Sequence, residues 1–176
     1  MPELVLRGRR VAYLEQGRGV PLVLLHAGGS SGKQWIKTAS FLADRFRVIA
    51  PDRWGFGLTE GWPGDERLTH DHQALLVATV IEQVAAGPAH LVGHSYGGLN
   101  NPTSLQDVRQ IGLPTLVMCG EKTTPPDRRV TEILREQMPR CRYTVIPGAD
   151  HMSPLSHPEF IANAVRDHVE GEPPLA

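Results

Sequence analysis

Apolar residues fall along this chain in two rhythms. Leu22-Val23-Leu24-Leu25, Arg47-Val48-Ile49-Ala50, His90-Leu91-Val92-Gly93, Thr115-Leu116-Val117-Met118 and Tyr143-Thr144-Val145-Ile146 are short, nearly continuous apolar runs. Such runs lack the alternation of a half-exposed strand and suit strands buried on both faces of a parallel sheet. Each ends in a loop containing Gly or Pro. Between them, apolar residues recur at helical spacing over 35–43, 69–86, 127–138 and 158–169. Strand and helix therefore alternate, which predicts an α/β fold: a mostly parallel sheet with helices on both faces. Upstream, Leu4-Val5-Leu6 and Val11-Ala12-Tyr13-Leu14 flank Arg7-Gly8-Arg9-Arg10, the pattern of an antiparallel hairpin with a solvated basic turn.

Composition narrows the class without changing that picture. The 176 residues suit one domain over 1–170 followed by a polar tail at 171–176. A net charge of -1 supplies no electrostatic footprint for nucleic acid, and no apolar run approaches the ~20 residues of a membrane span. Met1-Pro2-Glu3-Leu4-Val5 lacks the basic start and apolar stretch of a signal peptide, so a cytoplasmic location is expected. Cys119 ends one predicted strand and Cys141 begins the next parallel one, placing them at opposite sheet edges as free thiols. No Cys, His and carboxylate grouping has zinc spacing, and His70 and His72 do not share a helix face.

The strongest chemical signal is Gly93-His94-Ser95-Tyr96-Gly97-Gly98, directly after the strand at 89–92. An apolar strand feeding a sharp turn, with small residues two before and two after the serine, exposes Ser95 Oγ as a nucleophile. Here the chain resembles the α/β-hydrolase family. His26-Ala27-Gly28-Gly29 follows the first buried strand as that family's oxyanion loop does, with Ala27 where Gly is more usual. The resemblance implies that backbone N–H groups of Gly28, or a residue beside it, and of Tyr96 hold the oxyanion. Pro51-Asp52-Arg53-Trp54-Gly55-Phe56-Gly57 is similar to the family's P-D-x-x-G-x-G loop, in which the aspartate stabilises a turn and is not catalytic. Pro147-Gly148-Ala149-Asp150-His151-Met152 is similar to its G-x-G-H segment, with Asp150 for the second Gly, and makes His151 the base. The acid departs from the pattern. Gly120-Glu121-Lys122-Thr123-Thr124-Pro125-Pro126-Asp127 puts Thr123 at the expected place. Glu121 and Asp127 remain; Asp127 reads as an acid in the first turn of a helix opened by Thr124 and two prolines, so Glu121 is favoured.

The other departure lies after the nucleophile. Gly97-Gly98-Leu99 runs into Asn100-Asn101-Pro102-Thr103-Ser104, a turn signal, where the family has a long helix, a further strand and usually a cap. The expected architecture is thus a minimal or truncated α/β-hydrolase fold, its shortfall localised at 99–103, whether natural, engineered or from an incomplete chain. Residues 104–111 suit two helical turns, and a sheet with the next strand moved up beside the nucleophile strand is sterically feasible. A missing strand and cap would leave a shallow pocket and apolar surface open to self-association. Trp35, Trp54 and Trp62 fall in or near loops at the active edge, where a Trp lines a pocket or, more commonly, packs a core or rim. The expected activity is a cofactor-free serine hydrolase acting on small carboxylic ester-type substrates. A lactone or carbon–carbon bond hydrolase on the same fold, and an impaired remnant serving as a binding module, stand as alternatives.

Overall fold

The structure, a computed structural model, describes residues 1–98 and 105–171. The junction at 99–103 and the tail from 172 onward lie outside the described residues. The chain divides into two compact units, one ending at Pro102 and the other beginning at Thr103.

In the first unit β1 (Glu3–Leu6) and β2 (Arg9–Gln16) form the expected hairpin. Its turn is tighter than the sequence pattern indicates. Arg7 and Gly8 both take positive φ (51° and 75°), the two-residue turn whose twist matches the strands, and this leaves Arg9 and Arg10 inside β2. The basic cluster is balanced within the unit: Arg9 and Arg10 pair with Glu60, Arg10 reaches Glu3, and Arg7 lies over the Trp62 ring.

β3 (Val20–Leu25), β4 (Phe46–Pro51) and β5 (His90–Gly93) complete a five-stranded sheet in the order β1-β2-β4-β3-β5. β3 runs parallel to both β4 and β5, while β2 is antiparallel to β4. Leu22 through Leu25 are all fully buried, the environment their unbroken apolar run requires. Alternate residues face opposite sides of the sheet: Val23, Leu25 and Ile49 join Leu76, Val77 and Val80 of α2 (His70–Val80) in one core. α1 (Ile36–Leu42), preceded by a 3-10 turn over Gly32–Trp35, packs on β4 and β2 and buries Ala39 and Leu42. A single π-helical turn, Ile81–Ala85, continues α2 toward β5.

Thr69 caps α2 reciprocally. Its hydroxyl accepts from the His72 N–H while its own N–H donates to His72 Nδ1, so a histidine stands where such boxes usually carry Glu or Gln. His72 also stacks on Trp62 at 3.9 Å, and Trp62 meets Trp54 edge to face. Thr69→Ala is expected to cost about 1 kcal/mol, read as a lowered midpoint in urea unfolding.

The second unit holds α3 (Leu105–Gln110), β6 (Thr115–Gly120), α4 (Pro125–Gln137), β7 (Cys141–Ile146), α5 (Ser153–Ser156) and α6 (Pro158–Glu170). β6 and β7 pair in parallel from Thr115↔Cys141 to Gly120↔Ile146, and α4 packs on both. All six residues of β6 pair with β7, and the two strands form a two-stranded sheet. Cys119 is buried and Cys141 half-buried, both free, four register positions apart. Among the described residues no helix is long and apolar enough to cross a membrane, and no cluster of three or more metal-ligating side chains occurs.

Candidate active site

Parallel strands bring the loops at their carboxyl ends to one edge of a sheet, and in the first unit the Gly28 loop and the Ser95 turn emerge there. Leu25 of β3 lies opposite Gly93 of β5, so the 26–30 loop and the Ser95 turn leave adjacent strands side by side. The His94 N–H donates to Leu25 O, and Gly97 N–H closes a 3-10 turn on His94 O. Ser95 sits on that turn, exposed, with φ +54°. A left-handed non-glycine residue costs on the order of 1–2 kcal/mol and persists where the surroundings impose it. The imposition is visible at Gly97, where a Cβ would stand 2.4 Å from Leu25 O and 2.7 Å from His26 O. Only glycine lets the turn press this closely on β3, and that pressure holds Ser95 in its strained conformation. The Tyr96 amide follows directly on the same turn.

Two successive peptide planes precede Gly28, and their polar groups can be followed one by one. In the first, the His26 carbonyl accepts from Arg53 Nη2 at 2.6 Å and the Ala27 N–H donates to Gln34 Oε1 at 3.2 Å. In the second, the Ala27 carbonyl accepts from His26 Nδ1 at 2.7 Å and from the Ser30 N–H at 3.3 Å. Among the described residues the Gly28 N–H is bonded to none. The Ala27 N–H is thereby engaged, while that of Gly28 is left available.

His26, Arg53 and Gln34 are all buried, and sequence reasoning gave none of them this role. His26 Nε2 accepts from the Arg53 backbone N–H, which puts the imidazole proton on Nδ1. Burial chiefly, with the Arg53 charge adding to it, pushes the His26 pKa below its usual value, although the Ala27 bond opposes this. The ring therefore stays neutral around pH 7.

Asp52 behaves as its loop motif suggested. Its buried carboxylate accepts from Gly32 N–H at 2.6 Å and from Leu58 N–H at 2.8 Å, fixing a turn. Trp35 and Trp54 are fully buried core residues; Trp54 is clasped by Gln73, whose carboxamide bonds both its N–H and its C=O.

In the second unit, Glu121 and His151 leave the adjacent ends of β6 and β7. Glu121 Oε2 accepts from Gly148 N–H at 2.7 Å, and Lys122 N–H donates to Ala149 O at 2.7 Å. Gly120 is required there, since a Cβ would lie 2.5 Å from Asp150 O. Glu121 thus grips the loop that carries His151, three residues upstream of it. Asp127 instead accepts from the Thr124 hydroxyl at 2.8 Å, within the first turn of α4. Thr123 is buried, and its N–H donates to Gly120 O.

A mixed sheet of this strand order with a strained serine turn at the carboxyl end of a parallel strand defines a class, the α/β hydrolase fold. Residues 20–101 match the family described as alpha/beta hydrolase fold. The chain is 33% identical over 97 residues to a soluble epoxide hydrolase of Corynebacterium sp. (strain C12), covering 54% of this chain and 33% of that protein. It is 38% identical over 95 residues to a bifunctional esterase/perhydrolase of Acinetobacter calcoaceticus, covering 52% and 33%. The match spans about a third of the length of these relatives. In fold, the chain superposes with TM-score 0.88 on a meta-cleavage product hydrolase from Pseudomonas fluorescens IP01, at 16% identity, covering 97% of this chain and 98% of that one.

Proposed function

We propose that the chain is a serine hydrolase that cleaves small carboxylic ester-type substrates through an acyl-enzyme. Ser95 Oγ attacks the carbonyl carbon while His151 takes its proton. The N–H groups of Gly28 and Tyr96 receive the oxyanion as it forms. Collapse expels the alcohol, protonated by His151, and water activated by the same histidine releases the acid. Glu121 orients His151. The observation that carries the reading is the left-handed Ser95 on a glycine-pressed turn, two residues beyond a parallel strand.

The chemistry of a serine nucleophile also chooses among the reactions named for the relatives. Attack by Ser95 on an epoxide carbon would leave an alkyl ether, which water does not cleave at neutral pH. Attack on an acyl carbon leaves an ester, which it does. Acyl transfer is therefore favoured over epoxide opening, despite the soluble epoxide hydrolase among the relatives.

The test is turnover of p-nitrophenyl acetate and labelling by a fluorophosphonate, each compared with Ser95→Ala. Turnover that survives this substitution would overturn the mechanism. The acid is tested separately. Glu121→Gln is expected to lower kcat by roughly 10²–10⁴, whereas Asp127→Ala stays within about threefold of wild type. The reverse order, measured as kcat on the same ester, would move the acid role to Asp127.

A further inference from the structure

The four polar groups of the two peptide planes before Gly28 are not equally placed. Three are held by buried side chains, and the fourth faces none. In a planar trans peptide the C=O of one residue and the N–H of the next point in opposite directions. Whatever fixes the Ala27 carbonyl therefore also fixes the direction of the Gly28 N–H. That carbonyl is held by His26 Nδ1 at 2.7 Å, the shorter of its two bonds.

We infer that His26 is the positioning residue of this site: its Nδ1–H, bonded to the Ala27 carbonyl, aims the Gly28 N–H at the place where the oxyanion forms. The inference rests on the reading of Ser95 as nucleophile and adds to it a group that touches no substrate. Arg53 acts one step behind. Its backbone N–H donates to His26 Nε2 and selects the Nδ1–H tautomer, while its guanidinium holds the His26 carbonyl. The neutral imidazole serves both bonds at once, accepting at Nε2 and donating at Nδ1, and it is the Nδ1 donor that sets the Ala27–Gly28 plane. Gln34 holds the Ala27 N–H, so the two planes cannot swing together. The loop thus presents its donor before any substrate arrives, the condition under which such a donor is most effective.

Two variants separate positioning from mere packing. In His26→Asn the side-chain amide stands near the Nδ1 position and keeps a donor for Ala27 O. In His26→Gln the amide stands near Nε2 and the Ala27 bond is lost. The residual dipolar coupling of the Gly28 N–H, measured in ¹⁵N-labelled protein, is expected to match wild type in His26→Asn and to change in His26→Gln. With p-nitrophenyl acetate, kcat is expected to fall about 10–100-fold in His26→Gln at little-changed KM, and affinity for phenylboronic acid by a similar factor. His26→Asn rescues both to within about threefold. An unchanged Gly28 coupling in His26→Gln, or equal losses in the two variants, would overturn the inference. Should His26→Gln not fold, the ¹⁵N pattern of wild-type His26 decides: an Nε2–H tautomer excludes the Ala27 bond and ends the proposal. Wild-type protein lacking Ser95-dependent turnover would remove the hydrolase reading instead, while the Gly28 coupling still reports whether His26 sets the peptide plane.

Discussion

Ser95→Ala is expected to reduce p-nitrophenyl acetate turnover to background, a loss on the order of 10⁶ in kcat for a fully competent site, and to abolish fluorophosphonate labelling. The loss should leave folding untouched, because the exposed hydroxyl supports no packing and alanine suffers the same positive φ. Ser95→Gly sharpens the experiment. Glycine removes the same nucleophile and also relieves the left-handed strain, worth on the order of 1–2 kcal/mol. It gives back part of that through the greater freedom of the unfolded chain, about 0.4–1 kcal/mol. The glycine variant should therefore be as inactive as the alanine variant and about 0.5–1 kcal/mol more stable in urea. A protein that stores strain at its nucleophile gains stability when the nucleophile is deleted. If Ser95→Gly is instead less stable than Ser95→Ala, the turn is not strained at Ser95, and the observation on which the hydrolase reading rests loses its force.

What the sequence revealed and what it hid divide along a physical line. The runs at Leu22–Leu25 and Phe46–Pro51 were legible because burial on both faces leaves a continuous apolar signature in adjacent residues. The Ser95 turn and the Asp127 helix start were legible for the same reason: strand, turn and cap are local patterns of a few residues. Strand neighbours are not local. An apolar run demands burial but does not say which strand supplies it, and nothing in Thr115–Gly120 itself names β7 as its neighbour. The clamp on Gly28 was hidden in the same way. Arg53 meets His26 across 27 positions and Gln34 meets Ala27 across 7, with no periodicity to betray them. One signal was available. Arg53 and His26 are hydrogen-bonding residues at the ends of apolar strands, where burial would strand their polar atoms unless they met one another. Glu121 was legible as a carboxylate at the sheet's carboxyl edge, but its grip on Gly148 needed the register of β6 against β7.

Asp52 offers the largest expected effect on stability. Its carboxylate is buried and accepts two backbone N–H bonds, from Gly32 and Leu58, while its own N–H donates to Ala12 O and its carbonyl accepts from the Thr59 hydroxyl. A charged acceptor makes each such bond worth about 1.5–3 kcal/mol, and its removal leaves the buried Gly32 N–H without a partner. Asp52→Ala should therefore cost about 4 kcal/mol, a fall of roughly 8–16 °C in Tm for a chain of this length. Asp52→Asn is the more searching change, since it preserves shape. Both oxygens are in use as acceptors, so either orientation of the amide turns an NH₂ toward an N–H, and the asparagine variant should lose most of what the alanine variant loses. The space is closed to rearrangement: a Cβ on Gly57 would already lie 2.1 Å from Asp52 Oδ2, at a backbone φ of +58° that itself favours glycine. The consequence reaches the site through a short chain of bonds. Gly32 begins the 3-10 turn that carries Gln34, and Gln34 holds the Ala27 N–H. Asp52→Asn protein assayed well below its lowered Tm should accordingly show a reduced kcat on p-nitrophenyl acetate as well. A Tm within about 2 °C of wild type would show that the carboxylate is replaceable there, and that the turn it closes does not hold the Gly28 loop in place.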